Sequence, residues 1–160
     1  MLILKYSRLV VGPFQPKTSK LAQSFKRLVA SSASQLKRRR CGWLDLVVLK
    51  HSTAVNHYTG LNLTKLDVLD TFEMIKVAVA YQHPETGETL DSFPADLDLL
   101  SKVKIVYHEM PGWNKPTTAT RDFYSLPLTA RSYVEFIEKF IGVKINYIGT
   151  GPDRQDMCTR

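Results

Sequence analysis

Two residues, Lys65 and Asp67, stand two apart in the stretch Leu63-Thr64-Lys65-Leu66-Asp67, where an apolar run gives way to polar chain. A carboxylate at such a point can accept two hydrogen bonds from one planar donor edge, such as the N1–H and N2–H₂ of guanine. The aliphatic stem of a lysine two positions earlier can lie over the flat face of the same ring. The same residues also fit a plainer role, with Thr64 capping the next turn and Asp67 as its capping partner three residues on. A second glycine-bearing stretch, Gly149-Thr150-Gly151-Pro152-Asp153-Arg154, lets backbone approach a flat ring closely because no Cβ intervenes. Its plainer role is a tight turn with an Asp–Arg pair.

The elements that must position these residues can be read from periodicity. Leu44, Val47, Val48, His51 and Val55 give a helical stripe from Asp45 to about His57, with Gly60 breaking it; His51 and His57 read as surface or packing residues. Leu61-Asn62-Leu63 is a short strand and 70–72 a helical turn. Ile75–Tyr81 alternates as a strand, with a turn at 83–88 and a hairpin partner at 89–92. A short helix over 96–101 and a strand over 103–109 follow. Residues 113–125 read as a polar loop. After Pro127, the apolar positions Ala130, Tyr133, Val134, Ile137 and Ile141 predict a helix that Gly142 ends. Ile145–Ile148 is a last strand. Strands and helices alternate, so the class is α/β with a partial mixed sheet and flanking helices. Ligands of open α/β sheets sit beyond the carboxyl ends of strands, which is where Thr64 and Gly149 fall.

Charge divides the 160 residues unevenly. The net charge is +7, from 22 Lys and Arg against 15 Asp and Glu. Residues 1–44 hold ten of the basic residues and no acidic one, leaving 12 basic and 15 acidic beyond, a net of −3. A nucleic-acid interface needs a basic face on the folded part, with aromatic or polar readers beside it, and none is legible there. No apolar run reaches the length of a membrane span. Cys41 and Cys158 fit no metal-ligand spacing and suit a reduced, cytoplasmic chain. Residues 1–37 are set apart as a basic N-terminal segment, either poorly ordered or foreign to the family of the domain that follows, with an amphipathic helix available from Thr18 to Ser31. It reads as an organelle-targeting peptide, a membrane-surface helix, or an upstream segment of little structural meaning. The tract Lys37-Arg38-Arg39-Arg40 beside a domain's first helix could offer arginines to an anionic ligand.

Several motifs occur in a consistent order: Arg39-Arg40-Cys41-Gly42-Trp43-Leu44-Asp45, Leu63-Thr64-Lys65-Leu66-Asp67-Val68-Leu69-Asp70, Val79-Ala80-Tyr81, Phe93-Pro94-Ala95, Pro111-Gly112-Trp113 and Gly149-Thr150-Gly151-Pro152-Asp153-Arg154. Together, over about residues 38–160, they resemble the C-terminal third of adenylosuccinate synthetase. That resemblance implies part of a P-loop-like fold from a homodimeric ligase. The family uses GTP and Mg²⁺ to join IMP and L-aspartate in AMP biosynthesis, by phosphoryl transfer to the purine oxygen and displacement by the aspartate amine. It implies that Asp67 reads guanine, flanked by Lys65 and Leu66, with Gly149, Thr150 and Gly151 closing the pocket through backbone and Arg39 facing the nucleotide. It places IMP and aspartate contacts at Lys37, Arg38 and Arg39.

The chain departs from that pattern at Ser34-Gln35-Leu36-Lys37, where the family has Thr-Thr-Gly-Arg, and it has no Gly-rich phosphate loop. No catalytic residue or metal ligand of the family has a counterpart, so the expectation is a truncated or mis-joined chain, inactive alone. The alternative is a non-catalytic nucleotide-binding or regulatory module that associates with a full-length subunit.

Overall fold

The computed structural model describes residues 42–159 other than positions 91 and 119. The expected N-terminal helix and the tract Lys37–Arg40 lie outside the described residues. The chain runs β1 (Leu44–Asp45), α1 (Leu46–Asn56), β2 (Leu61–Leu63), a 3₁₀ turn (Leu66–Leu69), β3 (Met74–Gln82), β4 (Thr89–Leu90), α2 (Leu97–Lys102), β5 (Lys104–Pro111), a second 3₁₀ turn (Phe123–Ser125), α3 (Leu128–Ile141), β6 (Ile145–Gly149) and β7 (Met157–Thr159).

The strands form two mixed sheets rather than one. In the first, β3 pairs with β1 in parallel and with β4 and β5 in antiparallel fashion. In the second, β2 pairs with β6 in parallel and β6 with β7 in antiparallel fashion. The helix stripe read from Leu44 begins two residues late because Leu44 and Asp45 pair with Val77 and Ala78 instead. Asp45 then caps α1, its Oδ1 accepting from the backbone N–H of Val47 at 3.0 Å and Val48 at 3.2 Å. Its Oδ2 accepts the Tyr81 hydroxyl at 2.5 Å, which ties the helix start to the central strand.

His57, not Gly60, ends α1. It adopts a left-handed conformation (φ 52°) and returns its N–H to Thr53 O at 2.9 Å. Gly60 is small for another reason: a Cβ there would lie 2.4 Å from Asn146 Nδ2, so the glycine makes room for a side chain of β6. Helix α3 follows the expected stripe, with Ala130, Tyr133, Val134, Ile137 and Ile141 buried and Gly142 closing it at φ 79°.

The core gathers α1, α3 and the inner faces of both sheets, with Leu46, Val77, Val134 and Ile148 fully buried. A smaller cluster around Tyr81, Leu100 and Val103 lies under α2. The stretch 113–125 is a largely irregular and exposed loop, as its polarity indicated, but it carries three buried anchors. Trp113, Thr117 and Phe123 are buried, and Thr117 is the one polar residue besides Thr150 buried among the described residues. The Thr117 hydroxyl turns inward to Asp70 Oδ1 at 2.8 Å. At the end of β5, Gly112 donates its N–H to Glu73 O at 2.9 Å, and a Cβ on it would fall 1.7 Å from Phe72 O. Only glycine allows those two backbones so close.

Candidate functional site

Pairing of β2 with β6 sets Leu63 opposite Ile148, so the chain leaves both strands at the same edge of one sheet. Thr64 therefore opens one loop and Thr150 its neighbour, with Gly149 the last residue of β6, opposite Met157. A Cβ at Gly149 would rest 3.4 Å from Thr64 Cα and 3.6 Å from Lys65 N, so these backbones are in contact. The sequence reading that set the two loops side by side holds as geometry.

The first loop turns sharply at Lys65, which takes a left-handed conformation (φ 65°) and stays exposed. The 3₁₀ turn follows, with Val68 N–H to Lys65 O at 3.3 Å and Asp70 N–H to Asp67 O at 3.2 Å. This turn, at 66–69, is where a turn at 70–72 was expected. Leu66 and Val68 point into the core and anchor it. Leu66 thus packs its side chain away from the loop surface, and only its backbone is left to face a ligand.

Asp67 sits between those anchors. Its Oδ1 is out of solvent and has no hydrogen-bond partner among the described residues. Burial holds the carboxyl above the usual aspartate range. The Asp70 charge adds to that, while the Lys65 charge and the backbone N–H groups of Asp67 and Val68 pull it down. An unpaired, partly desolvated acceptor is costly until a donor arrives.

The second loop is tied internally. Thr150 N–H meets Asp156 O at 2.9 Å, and Asp153 N–H meets Asp156 Oδ2 at 3.3 Å. Gly151 is required by the loop itself, because a Cβ would lie 2.3 Å from Asp156 Oδ2. Thr150 is fully buried, and its hydroxyl donates to Thr120 O at 3.1 Å. Its side chain and N–H are therefore both engaged, and its carbonyl is the group left for a ligand.

The loop that holds Lys65, Leu66 and Asp67 and the stretch Gly149–Gly151 leave neighbouring strands, with Gly149 beside Thr64 and Lys65; Lys37, Arg38 and Arg39 lie outside the described residues. Sequence reading missed Asp70, Trp113, Thr117 and Thr120, which hold the two loops from behind. One signal was available: a tryptophan at the head of a threonine-rich stretch is an anchor seeking a partner for its N–H. No three His, Cys, Asp or Glu side chains among the described residues gather into a group able to hold a metal ion. No helix among them is long and apolar enough to cross a membrane.

Comparison with known proteins decides the family. The sequence model for adenylosuccinate synthetase matches residues 6–158. The chain belongs to the adenylosuccinate synthetase family. That match takes in most of the segment before residue 38 as well as the motifs after it. Adenylosuccinate synthetase of Neurospora crassa is 59% identical over 153 residues, covering 93% of this chain and 35% of its own length. The Pyricularia oryzae synthetase is 65% identical over 124 residues, covering 78% of this chain and 29% of its own. The solved structure of the fully ligated synthetase from Plasmodium falciparum superposes with a TM-score of 0.83 at 31% identity, covering 88% of this chain and 34% of that one. This member of the family thus spans about a third of the length of the curated relatives it matches.

Proposed function

We propose that this chain carries the guanine-reading part of an adenylosuccinate synthetase site. That enzyme joins IMP and L-aspartate at the expense of GTP. Asp67 accepts the N1–H and N2–H₂ of guanine, the Lys65 stem covers one face of the ring, and the Gly149–Gly151 backbone closes over it. The observation that carries this reading is the buried Oδ1 of Asp67, without a partner among the described residues, two positions beyond the Thr64–Lys65 backbone that lies beside Gly149. Phosphoryl transfer and its metal demand groups to hold phosphate, and no step through Mg²⁺ is assigned to residues of this chain. Arg39, Lys37 and Arg38 stand in the proposal as the cations that meet the nucleotide, IMP and the aspartate carboxylate.

The test is Asp67→Asn, made in the 160-residue chain and, at the matching residue, in a full-length relative. The amide places an NH₂ against a guanine donor, so affinity for GTP falls by more than about 2 kcal/mol, the range for hydrogen bonds to a charged group with a partner left unpaired. Xanthine carries an oxygen where guanine has its 2-amino group, so XTP becomes the preferred nucleotide. An unchanged preference for GTP in the variant makes Asp67 a turn residue and removes the reading.

A further inference from the structure

We propose that Trp113, Thr117 and Thr120, the last two joined by the Thr120 N–H to Thr117 O bond at 3.1 Å, act as a strut that sets the spacing of the two base-contacting loops, and that Asp70 is its positioning residue. The inference rests on the guanine reading above, which names the loops but not what holds them apart.

Asp70 is the last residue of the Lys65–Asp70 loop, three positions beyond the base reader. Its carboxylate accepts three hydrogen bonds from the strut: Trp113 Nε1 at 2.7 Å, Thr117 Oγ1 at 2.8 Å and Thr117 N at 2.7 Å. All three are bonds to an ionised acceptor, and both donor residues are buried. At the far end of the strut, the carbonyl of Thr120 accepts from Thr150 Oγ1 at 3.1 Å and from Cys158 Sγ at 2.8 Å. Thr150 belongs to the second loop, and Cys158 lies on β7, which follows it. A parallel bridge between Asp122 and Thr159 continues the attachment. One strut therefore grips the first loop by a carboxylate and the second by a hydroxyl, and the two exits lie side by side at Gly149 and Thr64.

The chemistry of base reading makes that spacing matter. Asp67 discriminates guanine only if both donors meet its oxygens within hydrogen-bond range while the ring stays between Lys65 and the glycine loop. Such constellations lose selectivity when their supporting contacts loosen by a fraction of an ångström. Asp70 touches no base in this arrangement; it acts through the strut.

Binding of GTP and ITP to the 160-residue chain tests this, because ITP differs from GTP only in lacking the 2-amino group. Asp70→Asn sets an NH₂ against one of three donors. It raises the GTP dissociation constant about tenfold and shrinks the GTP-over-ITP ratio to match. Thr150→Val, which deletes only the far hydroxyl, moves both in the same direction, and Thr117→Ser, which keeps both donors, restores wild-type values. Folded Asp70→Asn and Thr150→Val proteins with an unchanged ratio overturn the strut; should Asp70→Asn fail to fold, Thr150→Val and Thr117→Val decide. A second readout needs no nucleotide. With spin labels at exposed positions 73 and 153 in a Cys41→Ser background, the inter-loop distance is single and narrow, and broad in Asp70→Asn. An unchanged distribution overturns the proposal. A wild-type chain that does not distinguish GTP from ITP removes the guanine reading instead, and the label distances still judge the strut.

Discussion

Asp67 combines a carboxylate, a partly desolvated position and an oxygen without a donor, and these carry a thermodynamic consequence. A carboxyl whose folded-state pKa is raised above its unfolded value of about 3.8 favours folding below that value, and the contribution is lost as pH rises through the folded pKa. At neutral pH the ionised group therefore opposes folding. Asp67→Asn, which loses GTP, gains thermal stability at pH 7 by removing that charge, and the gain disappears below about pH 3.8. Melting curves of wild type and variant at pH 7 and pH 3.5 check this. A variant less stable than wild type at pH 7 identifies Asp67 as a structural residue. GTP binding itself weakens as acid protonates the carboxylate, beginning above the ordinary aspartate range because burial raises the pKa.

Elements were legible in proportion to how much of their burial came from their own period. Helix α3 was read almost to the residue because five apolar positions line one face and a glycine ends it. The strand β3 was likewise plain, since a central strand is apolar and β-branched. Leu44 and Asp45 were folded into the helix stripe because two residues have no period of their own; pairing with Val77 and Ala78 decided them. Strand β7, three residues long, exists through its bonds to β6 and left no local signature. The parallel neighbours β2 and β6 were seen as strands, yet their adjacency is a long-range fact that only their glycine and lysine exits suggested. The strut was missed because threonines that serve buried carbonyls and carboxylates look the same in sequence as threonines that face water. At this scale Asp45 offers a test. Asp45→Ala removes the α1 cap and leaves the buried Tyr81 hydroxyl without its acceptor, costing about 2 kcal/mol, whereas Asp45→Asn keeps the cap and costs less. Urea unfolding of the two variants measures the difference; equal losses show that α1 does not depend on the cap.

At the scale of the whole molecule, the chain covers about a third of its relatives and contains no Gly-rich phosphate loop. Synthetase chemistry asks for positioned phosphate and neutralised charge, and base reading supplies neither. The purified 160-residue chain is therefore expected to form no adenylosuccinate from GTP, IMP and aspartate. Measurable product from the chain alone overturns that. Assay of the chain mixed with a full-length synthetase separates an inert piece from a module that alters a partner's rate.

The close approach of Gly112 to Phe72 has a kinetic meaning. Phe72 and Glu73 follow the Lys65–Asp70 loop after Thr71, Gly112 directly precedes Trp113, and the two backbones lie too near for any Cβ between them. Neither segment can loosen alone without breaking the Gly112 N–H bond to Glu73 O and parting the ends of β3 and β5. The two ought then to open as one cooperative unit, with amide hydrogen exchange at Gly112 as slow as at Val77 and Ala78 in the middle of β3. Exchange at Gly112 many times faster than at those strand amides would mean that the seam frays by itself. With slow exchange there, the base-reading face can melt only when the sheet beneath it melts, and its shape persists whether or not a nucleotide is present.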